Sequence, residues 1–204
     1  MRIVFDFGGV LFRWKPLEFL PRLLPDHATS PLATQALARG IFQGFDGDWG
    51  EFDRGVLDAP ALAQRIALRT GLSVHEVRHL IDAIPDELQP LPDSVALLRR
   101  LHDAGRDLYF LSNMPEPYAR HLEATHEFLA LFRRGVYSAR VKMVKPEPAI
   151  FEHARSSFGD VGAPLVFIDD AAKNVTAARA AGWQGIQFRD AVQCEEQLRA
   201  LDLI

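Results

Sequence analysis

Three short apolar runs constrain this chain more than any other feature of its sequence: residues 3–5, 108–111 and 165–168. Each is too short for a helix and rich in β-branched and aromatic side chains, the mark of a buried strand. Each leads into a polar cluster: Asp6 followed by Gly8 and Gly9, Ser112 with Asn113, and Asp169 with Asp170. From residue 93 onward, segments of helical spacing alternate with such runs. That alternation predicts an α/β fold built on a doubly wound parallel sheet. A parallel sheet carries its strand carboxyl ends on one rim, where α/β folds bind their ligands. The three clusters are therefore expected to meet.

The remaining elements follow from periodicity and punctuation. Helices are expected over 93–104 (closed by Gly105), 116–125, 146–158, 171–181 and 191–201, with further strands near 135–138 and 185–188. Between the first two strands the texture is helical throughout. Residues 15–24 and 32–42 carry apolar side chains at helical spacing, and Gly- and Asp-rich residues 44–50 read as a loop. A helix over 57–69 has Asp58 as its cap, and Ser73 with Glu76 makes a capping box for a helix to about residue 83. Pro85, Pro90 and Pro92 then break the pattern. Residues 14–88 are thus expected to form a small helical insert in a core made of 1–13 and 89–204.

At 204 residues, with 48% hydrophobic and 25% charged, the chain can bury one good core beside such an insert. A net charge of -4 without a Lys/Arg-dense block argues against nucleic acid as a partner. No apolar stretch is long enough to span a membrane, and Asp6 interrupts what would be a signal peptide, so a cytoplasmic location is expected. The single cysteine, Cys194, cannot form an internal disulfide, and its neighbours Glu195 and Glu196 offer no thiolate activation.

Three carboxylates on one rim repel one another unless a cation sits among them. Hard oxygen donors favour Mg²⁺, which keeps several waters and is completed by a substrate phosphate. Asp169 and Asp170 also open a helix, where the dipole welcomes negative charge, so capping and ligation are compatible. Lys145 precedes Pro146, which reads as the first residue of a helix. A lysine there can reach the rim and neutralise a phosphate oxygen or the Asp6 carboxylate, with Lys142 as a competitor. Asn174 lies one helical turn past Asp170 on the same face, suited to orienting Lys145 or Asp169.

Taken in order, Asp6-Phe7-Gly8-Gly9-Val10, Leu111-Ser112-Asn113, Lys145-Pro146 and Ile168-Asp169-Asp170-Ala171-Ala172-Lys173-Asn174 resemble the four motifs of the haloacid dehalogenase superfamily. The resemblance covers the whole chain and implies a Rossmann-like core, with residues 14–88 as a helical cap. It is greatest to bacterial α-D-glucose-1-phosphate phosphatases and the phosphatase domain of soluble epoxide hydrolase. It implies a phosphatase acting on a small phosphorylated metabolite, such as glucose 1-phosphate, through an aspartyl-phosphate. Asp6 would be the nucleophile. Ser112, the Asn113 amide and Lys145 would hold the phosphoryl group. Asp6, the Gly8 carbonyl and Asp170 would hold Mg²⁺, with Asp169 touching a bound water or supporting Asp170. A monomer or homodimer is expected.

One position departs from the family pattern. Phosphatases of this superfamily usually carry a second Asp two residues after the nucleophile, as general acid and base; here that residue is Gly8. Candidates for a substitute in the insert are His27, Asp46, Asp48 and Glu51, and Trp49 and Phe52 are candidates to stack on a sugar. Three other readings stay open: a metal-independent 2-haloacid dehalogenase, a sugar phosphomutase, and a catalytically weak binding module. The paired Asp169 and Asp170 weigh against the first, and Gly8 against the second.

Overall fold

The computed structural model describes residues 2–159 and 162–204. Strands β1 (Arg2–Phe5), β2 (Leu108–Ser112), β3 (Arg134–Tyr137), β4 (Leu165–Asp169) and β5 (Gln184–Gln187) form one sheet in the order β3-β2-β1-β4-β5. Every neighbouring pair is parallel. Phe5 pairs with Phe110 on one side and Ile168 on the other. This register carries Asp6 to the level of Asp169, with the Ser112 end of β2 on its other flank.

The insert comprises α1 (Pro16–Leu23), α2 (Pro31–Phe42), α3 (Asp48–Asp53), α4 (Ala59–Thr70) and α5 (Val74–Glu87). Side-chain caps start three of these helices: Ser30 accepts from the Ala33 amide at 3.2 Å, Asp58 from Ala61 at 2.9 Å, and Ser73 and Glu76 cap reciprocally. The chain enters and leaves through an antiparallel pairing. The Arg13 amide donates to the Gln89 carbonyl and the Leu91 amide to the Leu11 carbonyl, both at 2.8 Å.

The core continues with α6 (Pro92–Asp103), α7 (Glu116–Thr125), α8 (Ser138–Val141), α9 (Pro148–Ser157), α10 (Ala172–Ala180) and α11 (Ala191–Ala200). Alternate strand residues face opposite layers. Ile3, Phe5, Leu108, Phe110, Val166 and Ile168 pack with the α6 and α11 side and with the insert. Val4, Tyr109, Leu111, Leu165 and Phe167 pack against α9 and α10. Because the first cluster runs on into Leu20, Ile41, Trp49 and Ile66, insert and core share one apolar interior.

Three local expectations are corrected. Residues 44–50 are not wholly a loop, since α3 begins at Asp48. Its start lacks a cap from the preceding residue, and the Gln43 side chain instead accepts from the Asp48 amide at 3.0 Å. The α5 helix runs past residue 83 and through Pro85 to Glu87. Pro146 does not open a helix: the Lys145–Pro146 peptide is cis, and α9 starts at Pro148.

Candidate active site

The predicted clusters do converge. Lys145 sits at their centre, with its ammonium 2.7 Å from Asp6 Oδ1, 2.7 Å from Asp169 Oδ2, and 5.2 Å above the Phe167 ring. Both partners are buried. Burial works against the Lys145 ammonium, but Asp169 and Asp6 outweigh it and hold the group charged. Burial pushes the Asp6 carboxyl well above the usual carboxylate range; Lys145 opposes that push, while Asp169 and Asp170 add to it.

Lys145 is placed from the backbone outward. Asn113 Oδ1 accepts from the Lys145 amide at 2.8 Å, and Asn113 Nδ2 donates to the Lys145 carbonyl at 3.0 Å. The competitor Lys142 lies outside the cluster and donates to the Gly55 carbonyl. Asn174 orients Asp169 rather than Lys145, with Nδ2 at 3.1 and 3.0 Å from the two carboxylate oxygens. Asp169 also accepts from the Ala171 amide at 2.8 Å. Both of its oxygens are thereby engaged, which makes it the anchor of Lys145 and of the α10 start.

Oxygens of Asp6, Asp169 and Asp170 lie within 4.8 Å of one another. Lys145 is the cation paired with Asp6 and Asp169, and Lys173 lines the same cavity, so three carboxylates face two ammonium groups. Asp170 is exposed, and the Gly8 carbonyl accepts no hydrogen bond among the described residues. Open carboxylate and carbonyl oxygens beside unbalanced negative charge suit a hard divalent cation, so the donor set fits Mg²⁺. Gly9 makes room for the Asp170 carboxylate: its φ is +75°, and a Cβ there would stand 2.4 Å from Asp170 Oδ2. On the β2 side the Ser112 hydroxyl is buried and without a hydrogen-bond partner. Ser112 lies behind Asn113 and is not among the residues that line the cavity of the site.

Asp6, Gly8, Asn113, Lys145, Asp170, Ala171 and Asn174 floor a cavity of about 190 Å³, walled by Trp14, Trp49, Asp53, Leu88, Met114, Pro115, Tyr118 and Lys173. None of the four insert residues named as candidates for a substitute acid lines it. His27 pairs with Glu76 at 2.8 Å, Asp48 with Arg65 and Arg69, and Glu51 with Arg65; Asp46 stands 3.6 Å from Lys173. Trp49 lines the cavity, whereas Phe52 packs edge-on to Trp49 and Tyr118. Two functional features escaped the sequence reading: the Asn113 side chain as a clip on Lys145, and Asp53 as a cavity residue. A signal for Asp53 existed. Trp49, Phe52 and Asp53 share the buried face of α3, so a carboxylate stands at a core position of an amphipathic helix.

A family model for haloacid dehalogenase-like hydrolases matches residues 1–182. The chain belongs to that family. It is 28% identical over 199 residues to a sesquiterpene phosphatase of Aspergillus oryzae, covering 97% of this chain and 94% of that protein. It is also 28% identical to a plasmid-borne phosphoglycolate phosphatase of Cupriavidus necator, over 88% of this chain and 77% of the relative. Among solved structures, a family enzyme of Bacteroides thetaiotaomicron in complex with magnesium and inorganic phosphate superposes with a TM-score of 0.69 at 20% identity, over 92% and 93% of the two chains. The L-2-haloacid dehalogenase of Xanthobacter autotrophicus shares the fold with a TM-score of 0.66 at 17% identity, over 98% of this chain and 82% of the other. The protein is thus a haloacid dehalogenase-like hydrolase whose relatives include phosphatases.

Proposed function

We propose that this hydrolase is a Mg²⁺-dependent phosphatase that cleaves small phosphate monoesters through an aspartyl-phosphate on Asp6. The observation that carries the reading is the convergence of the Asp6, Asp169 and Asp170 carboxylates, two of them paired with the Lys145 ammonium. A metal-independent dehalogenase has no use for that excess of carboxylate.

Each residue has a task in this reading. Asp6, held by Lys145, attacks phosphorus in line with the departing alcohol, and water later releases phosphate from Asp6. Lys145, the Ser112 hydroxyl and the Asn113 amide steady the phosphoryl oxygens. Asp6, the Gly8 carbonyl and Asp170 would hold Mg²⁺, which when bound supplies charge neutralisation to the phosphoryl oxygens. Asp169, fixed by Asn174, keeps Lys145 from swinging away.

The cavity wall bears on the substituent. Trp14, Trp49, Leu88, Met114, Pro115 and Tyr118 offer a mainly apolar surface, and the Tyr118 hydroxyl is already committed to the Ile81 carbonyl at 2.8 Å. A sugar phosphate such as glucose 1-phosphate would find only Asp53 and Lys173 as charged partners in this wall, and each further hydroxyl buried unpaired costs about 1–3 kcal/mol. An apolar alcohol suits this wall better, in keeping with the sesquiterpene named for the A. oryzae relative.

Phosphate release from prenyl and other alkyl phosphates, glucose 1-phosphate, phosphoglycolate and p-nitrophenyl phosphate tests both points, run with Mg²⁺ or EDTA beside Asp6→Asn. Metal-dependent release that disappears in Asp6→Asn is expected, with alkyl esters ahead of glucose 1-phosphate. Release unaffected by EDTA would refute the Mg²⁺ dependence, and chloride release from a 2-haloacid with no ester turned over would refute the phosphatase.

A further inference from the structure

We propose that Asp53, carried by α3 of the insert, is the acid–base group of this site and takes the place left empty by Gly8. The inference rests on the phosphatase reading and adds a catalytic residue to it.

Asp53 is 6% exposed, and it lines the cavity that also holds Asp6 and Lys145. No hydrogen bond or ion pair engages its carboxyl among the described residues. A carboxyl kept for structural reasons would be bonded, because burying it unpaired is costly. Of the charged groups around it, Lys145 acts on it most; Asp6, Asp170 and Lys173 line the same cavity, the Tyr118 phenol lies beside it, and the Arg54–Glu147 pair flanks it along the chain.

Its backbone is tied to the core on both sides of the site. Ser138 Oγ accepts from the Met114 amide at 2.8 Å and donates to the Asp53 carbonyl at 2.5 Å. Arg54 donates to Glu147 at 2.8 Å and to the Lys142 carbonyl at 3.3 Å, and the Lys142 ammonium reaches back to the Gly55 carbonyl. Gly55 permits this closeness, since a Cβ there would stand 2.7 Å from the Ala139 carbonyl. Asp53 is therefore set against the cavity by the core itself, and needs no closure of the insert to arrive.

The carboxyl is also in the correct state to begin. Burial raises its pKa to about 8 against the opposing pull of Lys145, so it is protonated at neutral pH. In the first step the Asp6 oxygen bonds to phosphorus and the P–O bond to the alcohol breaks. The departing oxygen keeps that electron pair and takes the Asp53 proton, giving the free alcohol and an Asp53 carboxylate. In the second step water attacks phosphorus and gives one proton to Asp53. The Asp6–phosphorus bond breaks, phosphate leaves, and both carboxyl groups return to their starting states.

Single-turnover phosphorylation by an alkyl phosphate and by p-nitrophenyl phosphate tests this, because nitrophenolate leaves without a proton. Asp53→Asn should lose about 10²–10⁴-fold with the alkyl ester and less than tenfold with the aryl ester. The decline of alkyl-ester turnover above pH 8 in the native enzyme should vanish in Asp53→Asn. Asp53→Glu, which keeps the acid, should recover part of the alkyl-ester rate; thermal melts of both variants verify folding. Equal losses on the two esters, or none on either, would overturn the role of Asp53 while leaving the phosphatase standing. A native enzyme inert toward every ester would overturn the phosphatase reading and this inference together.

Discussion

Asn113 and Lys145 are locked together backbone to side chain: one amide side chain both accepts the Lys145 N–H and donates to the Lys145 carbonyl. The clip joins the loop after β2 to the loop between α8 and α9, and on its far side the Lys145 ammonium meets Asp6 and Asp169. Asn113→Ala leaves both Lys145 backbone groups without this partner. We expect it to lower stability by about 1–3 kcal/mol, and to lower kcat by tenfold or more with little change in KM. Asn113→Asp, which keeps only the acceptor, should fall between Ala and the native protein. Urea melts and steady-state kinetics on the three proteins provide the check.

Lys145→Met removes the ammonium that pairs with Asp6 and Asp169 and leaves both carboxylates buried without it. Breaking a buried pair by deleting one member typically costs about 3–5 kcal/mol. Thermal melts provide the check: a melting temperature close to the native value would show that the pairing with Lys145 contributes little to stability.

Gly9→Ala forces a Cβ into the space of Asp170 Oδ2 and into a left-handed conformation. Asp170 must move, so weaker Mg²⁺ binding is expected, by about tenfold or more on the scale of disturbed ligand support. Calorimetric titration of the metal reads this directly, without turnover. Unchanged affinity would remove Asp170 from the ligand set.

Asp53 also makes a prediction about stability. Its pKa of about 8 in the folded chain stands well above the roughly 3.9 of an unfolded Asp. Between those values the native state holds a proton that the unfolded chain has lost, so stability falls as pH rises from about 4 to about 8, then levels off. Asp53→Asn removes this penalty. The variant should match the native protein near pH 4 and exceed it at pH 8.5, by up to about 5 kcal/mol if the whole shift is realised. Paired melts at the two pH values decide it.

What could be read from the chain alone, and what could not, divides along physical lines. Apolar runs ending at Asp6, Ser112 and Asp169 predicted buried parallel strands, because side-chain periodicity and β-branching are local properties. The rim followed, since parallel strands must end together. The capping box at Ser73 and Glu76 and the cap at Asp58 were equally local, and the structure contains them as read. The tertiary structure alone decided the rest. The α3 helix was hidden by its flanking glycines, and Gln43, from an earlier element, satisfies its first amide. Asn113 could not be seen to clip Lys145, because no periodicity connects residues on different loops. Asp53 was invisible for the same reason. Its role depends on which insert face meets the strand ends, and Ser138 and Glu147, distant in sequence, settle that by holding Asp53 and Arg54. Local patterns thus determined which residues could reach the rim, while long-range packing chose those that face the cavity.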